Sequence, residues 1–249
     1  MVLTTTKKMT FIGLMIALGV VLAEYVVIYI PPASPSPLFK MSFEQLPLII
    51  TGIIFGPIVG GLTGVATDVI GYFLIGAGKG FVFNFGFTFN AFLGGFIPGM
   101  IWYFYSKKNI EKKLVFTNYL FLGLMILSLP FIILNINKIG DVTVNNLTKW
   151  SVIIISVLST FLLIIFQNRY KKSDERYSFS LFLLISLTYF LITSVLLTPL
   201  WLFIYDKVAY NLRFIIGLVS YSLKVLVTTF ITYLLFKRIG KDDIGTIFQ

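Results

Sequence analysis

Long apolar segments separated by short polar ones run along the whole chain. Apolar runs of about 18 or more residues are long enough to cross the roughly 30 Å hydrocarbon core of a bilayer. Glycine, proline and charged residues between the runs predict the ends of helices. The predicted helices are 9–30, 43–56, 57–76, 85–105, 115–137, 148–168, 178–200 and 210–237. The pattern therefore predicts one all-α membrane domain over residues 1–249, with about eight transmembrane helices.

Composition excludes most soluble classes of protein. The chain is 57% hydrophobic and only 12% charged, whereas a soluble domain carries about 25% charged residues. It has no cysteine and no histidine, which removes disulfides, thiol chemistry and the commonest general base and metal ligand. We therefore expect no catalytic site, no cofactor and no metal centre.

Positive charge is concentrated in short clusters rather than on an extended basic face. The formal net charge is +10, and the clusters lie at Lys7 and Lys8, at 107–113, at 169–176 and at 237–241. With eight spans, all four clusters fall on the same side of the membrane. The positive-inside rule then predicts a multi-pass protein of the bacterial cell membrane with both termini in the cytoplasm. Nucleic acid is not an expected partner.

Two segments resemble known sequence motifs, a signal peptide and a nucleotide-binding loop, but lack residues that these motifs require. Residues 9–30 follow Lys7 and Lys8 as in a signal peptide, but the run is longer than a typical signal core and lacks a small-x-small cleavage site. We interpret it as a retained transmembrane helix. The loop Gly76-Ala77-Gly78-Lys79-Gly80 lacks the first glycine and the final Ser or Thr of a nucleotide-binding Walker A loop.

Four glycines, which we call the glycine stripe, recur at intervals of four: Gly52, Gly56, Gly60 and Gly64. Small residues at this spacing let another helix approach closely within a membrane. The stripe is compatible with packing inside the chain and with contact to another subunit. The first predicted helix carries its own small pair, Gly13-x-x-x-Ala17, near its predicted cytoplasmic end.

An acid follows the glycine stripe at Asp68, well within a predicted span. A charge near the middle of a membrane costs at least roughly 2.5–3.5 kcal/mol on insertion scales, so it needs a partner or water. The other ionisable residues within spans are Glu24, Arg213 and Lys224. Asp68 is therefore predicted as a structural polar residue paired with Lys224, or as part of a binding cavity.

The segment MSFEQLPLIITGIIFGPIVGGLTGVATDVIGYFL, followed by FNFGFTFNAFLGG, resembles the S components of energy-coupling factor (ECF) vitamin transporters. Within that family it is most similar to the folate type, FolT. The matching features are the run from Ser42 to Pro57, the Asp68-x-x-Gly71 helix end and Gly86-Phe87-Thr88. The resemblance covers about residues 8–105 and, more weakly, 195–238.

The chain also departs from the family pattern. The family usually has about six helices, so residues 107–177 are predicted as an inserted helical hairpin between core segments 1–106 and 178–249. The last helix keeps Lys224, but Tyr221 stands where the family often has Arg. Asn84 and Phe85 replace a usual Phe-Pro pair. These differences leave the identity of the vitamin open.

The resemblance implies a passive, vitamin-binding subunit. Such S components bind a vitamin from outside, dock on a transmembrane T component driven by two ATPases, and topple in the membrane to carry it inward. Gly13 and Ala17 resemble the family's small-residue motif on the first helix and would contact the T component. The absence of an ATP motif fits energy supplied by those partners.

Folate has a flat pterin, an aromatic linker and an anionic glutamate tail. Aromatic side chains would form flat walls, amides and hydroxyls would bond the pterin edge, and cations would meet the carboxylates. The predicted substrate-binding residues are Lys40, Asn84, Phe87, Thr88, Asn90, Trp201, Arg213, Tyr221 and Lys224. The loops 31–43 and 76–86 would act as lids. With 26 phenylalanines in the chain, any single Phe is also typical of lipid-facing or core positions.

Four other functions are compatible with parts of the sequence. An S component for riboflavin or thiamine would differ in pocket chemistry and not in fold. A secondary transporter predicts inverted repeats, yet the acid of the third helix has no counterpart in the seventh. A membrane enzyme would lack the usual nucleophiles and bases. A purely structural or assembly protein would bind no small molecule.

Overall fold

A computed structural model describes residues 5–30, 39–79, 82–105, 111–135, 138–139, 142–143, 146–170, 178–207 and 210–239. The α-helices are α1 Thr5–Glu24, α2 Gln45–Phe55, α3 Pro57–Gly71, α4 Phe85–Tyr105, α5 Glu111–Asn135, α6 Asn146–Tyr170, α7 Phe179–Phe190, α8 Thr198–Asp206 and α9 Tyr210–Ile239. The strands are β1 Val27–Ile30, β2 Phe39–Ser42, β3 Lys138–Ile139 and β4 Val142–Thr143. The two strand pairs form short antiparallel hairpins.

The described residues contain seven helical stretches long and apolar enough to cross a membrane. The helix α2 is also apolar but has only 11 residues, fewer than the about 20 that a full span needs. The predicted all-α, multi-pass class is therefore confirmed, with one of the eight predicted helices shorter than a span.

Two of the long helices contain π-helical segments. The first, Tyr72–Gly76, continues α3, and the second, Leu191–Leu197, joins α7 to α8. Such segments occur frequently at functional sites. The first begins at Tyr72, one turn after Asp68.

The first predicted helix ends earlier than the sequence analysis expected. Its apolar run extends to Ile30, but α1 ends at Glu24, and β1 pairs with β2 so that Val27 lies opposite Ser42. The prediction of a helix up to residue 30 is wrong because the β-branched and aromatic run Val27–Ile30 fits a pleated strand. The proline-rich segment 31–37 lies outside the described residues.

The turn between α2 and α3 depends on one glycine. Gly56 has φ +93°, a backbone conformation that L side chains rarely adopt. Its amide donates to the Gly52 carbonyl at 3.0 Å, and Pro57 starts α3, where a missing amide proton costs nothing. A single residue thus ends one helix and starts the next.

The chain divides into two units, residues 1–108 with 230–249 and residues 109–229. In the first unit, α2, α3 and α4 pack with their backbones in contact. A Cβ atom on Gly52 would lie 2.1 Å from the Gly95 carbonyl oxygen, and one on Gly60 would lie 2.4 Å from the Gly52 Cα. These contacts confirm internal packing as the role of Gly52, Gly60 and Gly64, whose own contact is to Ala91.

In the second unit, α7 is buried on nearly all sides and packs against α5 and α6. The Asn118 side-chain amide of α5 donates to the Ser180 carbonyl of α7 at 2.8 Å. The Gln167 amide of α6 donates to the Val115 carbonyl of α5 at 3.2 Å. The helices α5 and α6 are those of the predicted inserted hairpin, and the boundary at 107–177 stays a prediction.

Candidate functional site

The interface between α3 and α4 changes in character along its length. Near the start of α3, the backbones of Gly60 and Gly95 are in contact, and one turn later a Cβ atom on Gly64 would lie 2.0 Å from the Ala91 carbonyl oxygen. Each step of four residues along α3 meets a step of about four back along α4, as expected for antiparallel helices. At these two positions the backbones leave no room for side chains, whereas the Phe92 ring packs beside them against Gly61.

A hydrogen bond between side chains of α3 and α4 is made at Asp68. The Thr88 hydroxyl donates to Asp68 Oδ2 at 2.6 Å. One turn further, the rings of Tyr72 and Phe83 lie edge to face, with their centroids 5.1 Å apart. From Asp68 towards the loop that joins the two helices, these contacts are therefore made by side chains.

Asp68 is half-buried, whereas Thr88 is only 4% exposed. Because a hydroxyl has one proton, Thr88 offers a ligand only its lone pairs and methyl group while this bond is made. The described part of the chain contains no group of three or more His, Cys, Asp or Glu side chains that could hold a metal ion. Lys224 belongs to the other unit, so its predicted pairing with Asp68 stays a prediction.

Three other predicted site residues lie at or near the start of α4. Asn84 Oδ1 accepts from the Gly86 amide at 2.9 Å, and the Phe87 amide donates to the Asn84 carbonyl at 3.0 Å. Phe87 is half-buried and Asn90 is buried. Because residues two apart on a helix do not face the same side, Thr88 and Asn90 point to different sides of α4.

Lys40 lies on β2, opposite Tyr29 of β1. The hairpin of these strands follows α1 and precedes α2 along the chain. The strand pairing therefore fixes the backbone position of Lys40 within the hairpin.

The remaining predicted site residues lie in the second unit. Arg213, Tyr221 and Lys224 are eight and three residues apart along α9, and this spacing places them on one face of the helix. Arg213 Nε is buried and has no hydrogen-bond partner among the described residues. Trp201 lies on α8 and is half-buried.

Tyr221 contacts α7, and Lys224 contacts the π-helical segment that follows α7. Tyr221 is 2% exposed, and its hydroxyl donates to the Leu187 carbonyl of α7 at 2.7 Å. Lys224 Nζ lies 3.4 Å from Ser194 Oγ in the second π-helical segment. Sequence reasoning missed Ser194, although Thr193 and Ser194 stand out as a polar pair within an apolar run.

Gly13 and Ala17, which are predicted to contact the T component, face away from the interior of their unit. Gly13 and Ala17 are exposed, and a Cβ atom on Gly13 would meet nothing within 4 Å. On the packed face of α1, a Cβ atom on Gly19 would lie 2.8 Å from the Thr67 side chain. The face with Gly13 and Ala17 is therefore not used for packing among the described residues.

The chain is similar to a curated protein in sequence and to a solved structure in fold. The chain is 31% identical over 107 residues to the folate transporter FolT of Clostridium novyi (strain NT), which is 43% of this chain and 56% of that protein. The chain thus matches little more than half the length of this relative. A crystal structure of FolT bound with folic acid shares the fold, with a TM-score of 0.55, 21% identity and 94% of each chain covered.

The profile of one family spans most of the chain. The family described as "ECF transporter, substrate-specific component" matches residues 7–167. This range includes the glycine stripe, Asp68 and the start of α4. The chain belongs to the family of substrate-specific components of ECF transporters.

Proposed function

We propose that this protein is the folate-binding S component of an ECF transporter for folate uptake. The observation that carries the proposal is the 31% identity over 107 residues to a folate transporter. The protein would bind folate without changing it chemically, and partner ATPases would supply the energy.

Folate recognition would use charged side chains for the glutamate tail and polar side chains for the pterin. Arg213 Nε, which has no partner among the described residues, would meet a glutamate carboxylate, because a guanidinium matches a carboxylate in a bidentate fashion. Lys224 and Lys40 would add positive charge. Asn84 and Asn90 would contact the pterin edge, and Thr88 would act through Asp68, to which its hydroxyl donates.

Aromatic side chains would form the walls of the site. Phe87 and Trp201 are half-buried, so each has part of its ring available to a ligand. Tyr221 would contribute its ring alone, since its hydroxyl donates to Leu187. Flat apolar surfaces of this kind suit the pterin and the aromatic linker.

The proposed partners are a T component and two ATPase subunits. Docking would use the exposed face of α1 that carries Gly13 and Ala17, where small residues permit close helix contact. The protein would lie in the bacterial cell membrane with both termini in the cytoplasm, which the basic clusters predict when the short helix α2 counts as one of eight crossings.

Ligand binding by the purified protein in detergent tests the proposal. Tryptophan fluorescence or calorimetry would measure the affinity for folic acid, with riboflavin and thiamine as controls. We expect saturable one-to-one binding of folic acid and no binding of the controls. Tight binding of a control instead would keep the family and change the cargo, and binding of none would contradict a vitamin-binding role.

A further inference from the structure

We propose that the Asp68 carboxylate reads the hydrogen-bond donors of the pterin ring, and that Thr88 positions it. This inference rests on the proposed function and assigns it a specificity-determining residue. The ligand group is the edge of a 2-amino-4-oxopyrimidine, which presents a ring N–H and an amino group side by side.

The first observation concerns the hydrogen bonds of Asp68. A carboxylate has two oxygens with about four acceptor positions. Thr88 donates to Oδ2, and no other described residue makes a hydrogen bond or ion pair with this side chain. Because a half-buried carboxylate within a span is costly unless its acceptors are satisfied, the remaining positions suit a ligand with several donors.

The second observation concerns the place of Asp68 along the interface. Towards the start of α3, Gly64 and Ala91 bring α3 and α4 into backbone contact. On the loop side of Asp68, the rings of Tyr72 and Phe83 lie edge to face, in the segments that follow α3 and precede α4. A ligand entering from the loop side would therefore pass these rings and reach Asp68 before the closed backbone contact.

Carboxylate chemistry explains the choice of ligand edge. Two parallel N–H donors match the two oxygens of one carboxylate, as in charge-assisted pairs with a guanidinium. The corresponding edge of riboflavin has an N–H between two carbonyl groups, which would place oxygens against the carboxylate. The pyrimidine of thiamine offers one amino group beside a ring acceptor. Asp68 would therefore favour folate by repelling its competitors as well as by binding it.

The role of Thr88 is to hold the carboxylate in place. Its hydroxyl is buried and donates to Oδ2 at 2.6 Å. This bond fixes the side-chain rotamer of Asp68 and therefore also the direction in which Oδ1 points. Thr88 is a positioning residue, since it would act on the ligand through Asp68.

The test compares folic acid with its 2-desamino-2-methyl analogue, which lacks the amino donor. A hydrogen bond to a charged group contributes enough for wild-type protein to prefer folic acid by about tenfold or more. Asp68→Asn would weaken folic acid binding by about tenfold and leave the analogue nearly unchanged, because the Asn amide keeps one acceptor for the ring N–H and turns its NH2 donor against the amino group that only folic acid has. Thr63→Val, on the same helix, is the control and should keep the wild-type preference.

The outcomes separate this inference from the proposed function. If wild-type protein binds no folic acid, both are wrong. If it binds folic acid and the analogue equally, or if Asp68→Asn keeps the full preference, the role of Asp68 is wrong and folate binding stands. Should Asp68→Asn fail to fold by size-exclusion chromatography, Thr88→Val with the two ligands decides: the preference must fall, since Asp68 loses its positioning bond.

Discussion

At the level of single residues, the bond between Thr88 and Asp68 joins two helices whose backbones touch at glycine and alanine. It is a side-chain hydrogen bond between α3 and α4 with a length of 2.6 Å. A buried acceptor that loses its donor bears the full cost of desolvation. The bond should therefore contribute to stability as well as to ligand binding.

Replacing Thr88 with Val removes the donor and keeps the shape. We expect Thr88→Val to lower the free energy of unfolding by about 1–3 kcal/mol. Thermal unfolding in detergent, without ligand, measures this loss. The control Thr63→Val should change stability by less than about 0.5 kcal/mol, since the Thr63 hydroxyl donates to the Val59 carbonyl of its own helix. Equal losses in the two variants would contradict the inter-helix bond.

The glycines make a second prediction, with opposite signs at two positions. A Cβ atom on Gly64 would lie 2.0 Å from the Ala91 carbonyl oxygen, whereas one on Gly123 of α5 would meet nothing within 4 Å. We expect Gly64→Ala to cost about 1–3 kcal/mol through overpacking. Gly123→Ala should stabilise by up to about 1 kcal/mol through helix propensity. Unfolding curves of both variants would show the contrast, and a neutral Gly64→Ala would rule out the backbone contact.

Sequence reasoning found these residues but not all of their contacts. The spacing of the glycine stripe predicted close packing, and the structure supplies Gly95 and Ala91 as the opposing residues. Thr88 was assigned to the ligand, because the register between two helices cannot be read from either helix alone. Tyr221 was likewise predicted as a ligand contact, and the Leu187 carbonyl that its hydroxyl binds lies 34 residues away along the chain.

At the level of helices, α1 has one face packed against its own unit and one exposed face. Gly19 packs against Thr67, and Gly13 faces outwards. Bulky side chains should therefore be tolerated on the second face and not on the first. This contrast allows docking to be tested apart from folding.

The double variant Gly13→Leu, Ala17→Leu should fold and bind folic acid as the wild type does, yet fail to transport. Uptake of labelled folate by cells that express the complete transporter measures this loss. The control Gly19→Leu should destabilise the isolated protein, because its side chain would overlap Thr67. Normal uptake by the double variant would exclude this face as the docking surface.

Helix bounds were predictable where the sequence carries a distinct signal. The predicted start of the third helix at Pro57 and the predicted end of the fourth at Tyr105 agree with the bounds of α3 and α4. The end of α1 was missed because the strand Val27–Ile30 is as apolar as the helix before it. The predicted helix 178–200 ends too early, since α8 continues to Asp206. Pro199 does not end the helix because it lies in the first turn of α8, where proline is tolerated.

For the whole molecule, the orientation in the membrane is open to a direct test. The chain has no cysteine, so each single Cys variant carries one label site. Lys8→Cys, Arg238→Cys and Val82→Cys all replace exposed residues. In intact cells, a membrane-impermeant maleimide should label only Val82→Cys, and lysis should expose the other two. Labelling of Lys8→Cys in intact cells would reverse the predicted orientation.

The predicted hairpin allows a test of its importance to the second unit. Because α7 packs against α5 and α6, with Asn118 bonded to Ser180, we expect deletion of 107–177 to prevent folding. Size-exclusion chromatography after detergent extraction would show aggregation instead of a single peak. A monodisperse deletion variant that binds folic acid would show that the hairpin is an appendage.

At this scale the family could be recognised from residues 42–105, where motifs are dense. The division into two units could not, because it depends on contacts between distant segments. The helix α9 illustrates this: its first 20 residues lie in one unit and the last ten in the other. No local pattern along α9 signals that change.

The glycine contacts of α2, α3 and α4 also bear on the order of assembly during synthesis. All of these contacts lie within residues 45–105, so they require no segment that is translated later. At about 5–20 residues per second, the ribosome needs several more seconds to complete the chain. The three helices can therefore lock together in the membrane as a nascent folding nucleus, before most of the second unit has left the ribosome.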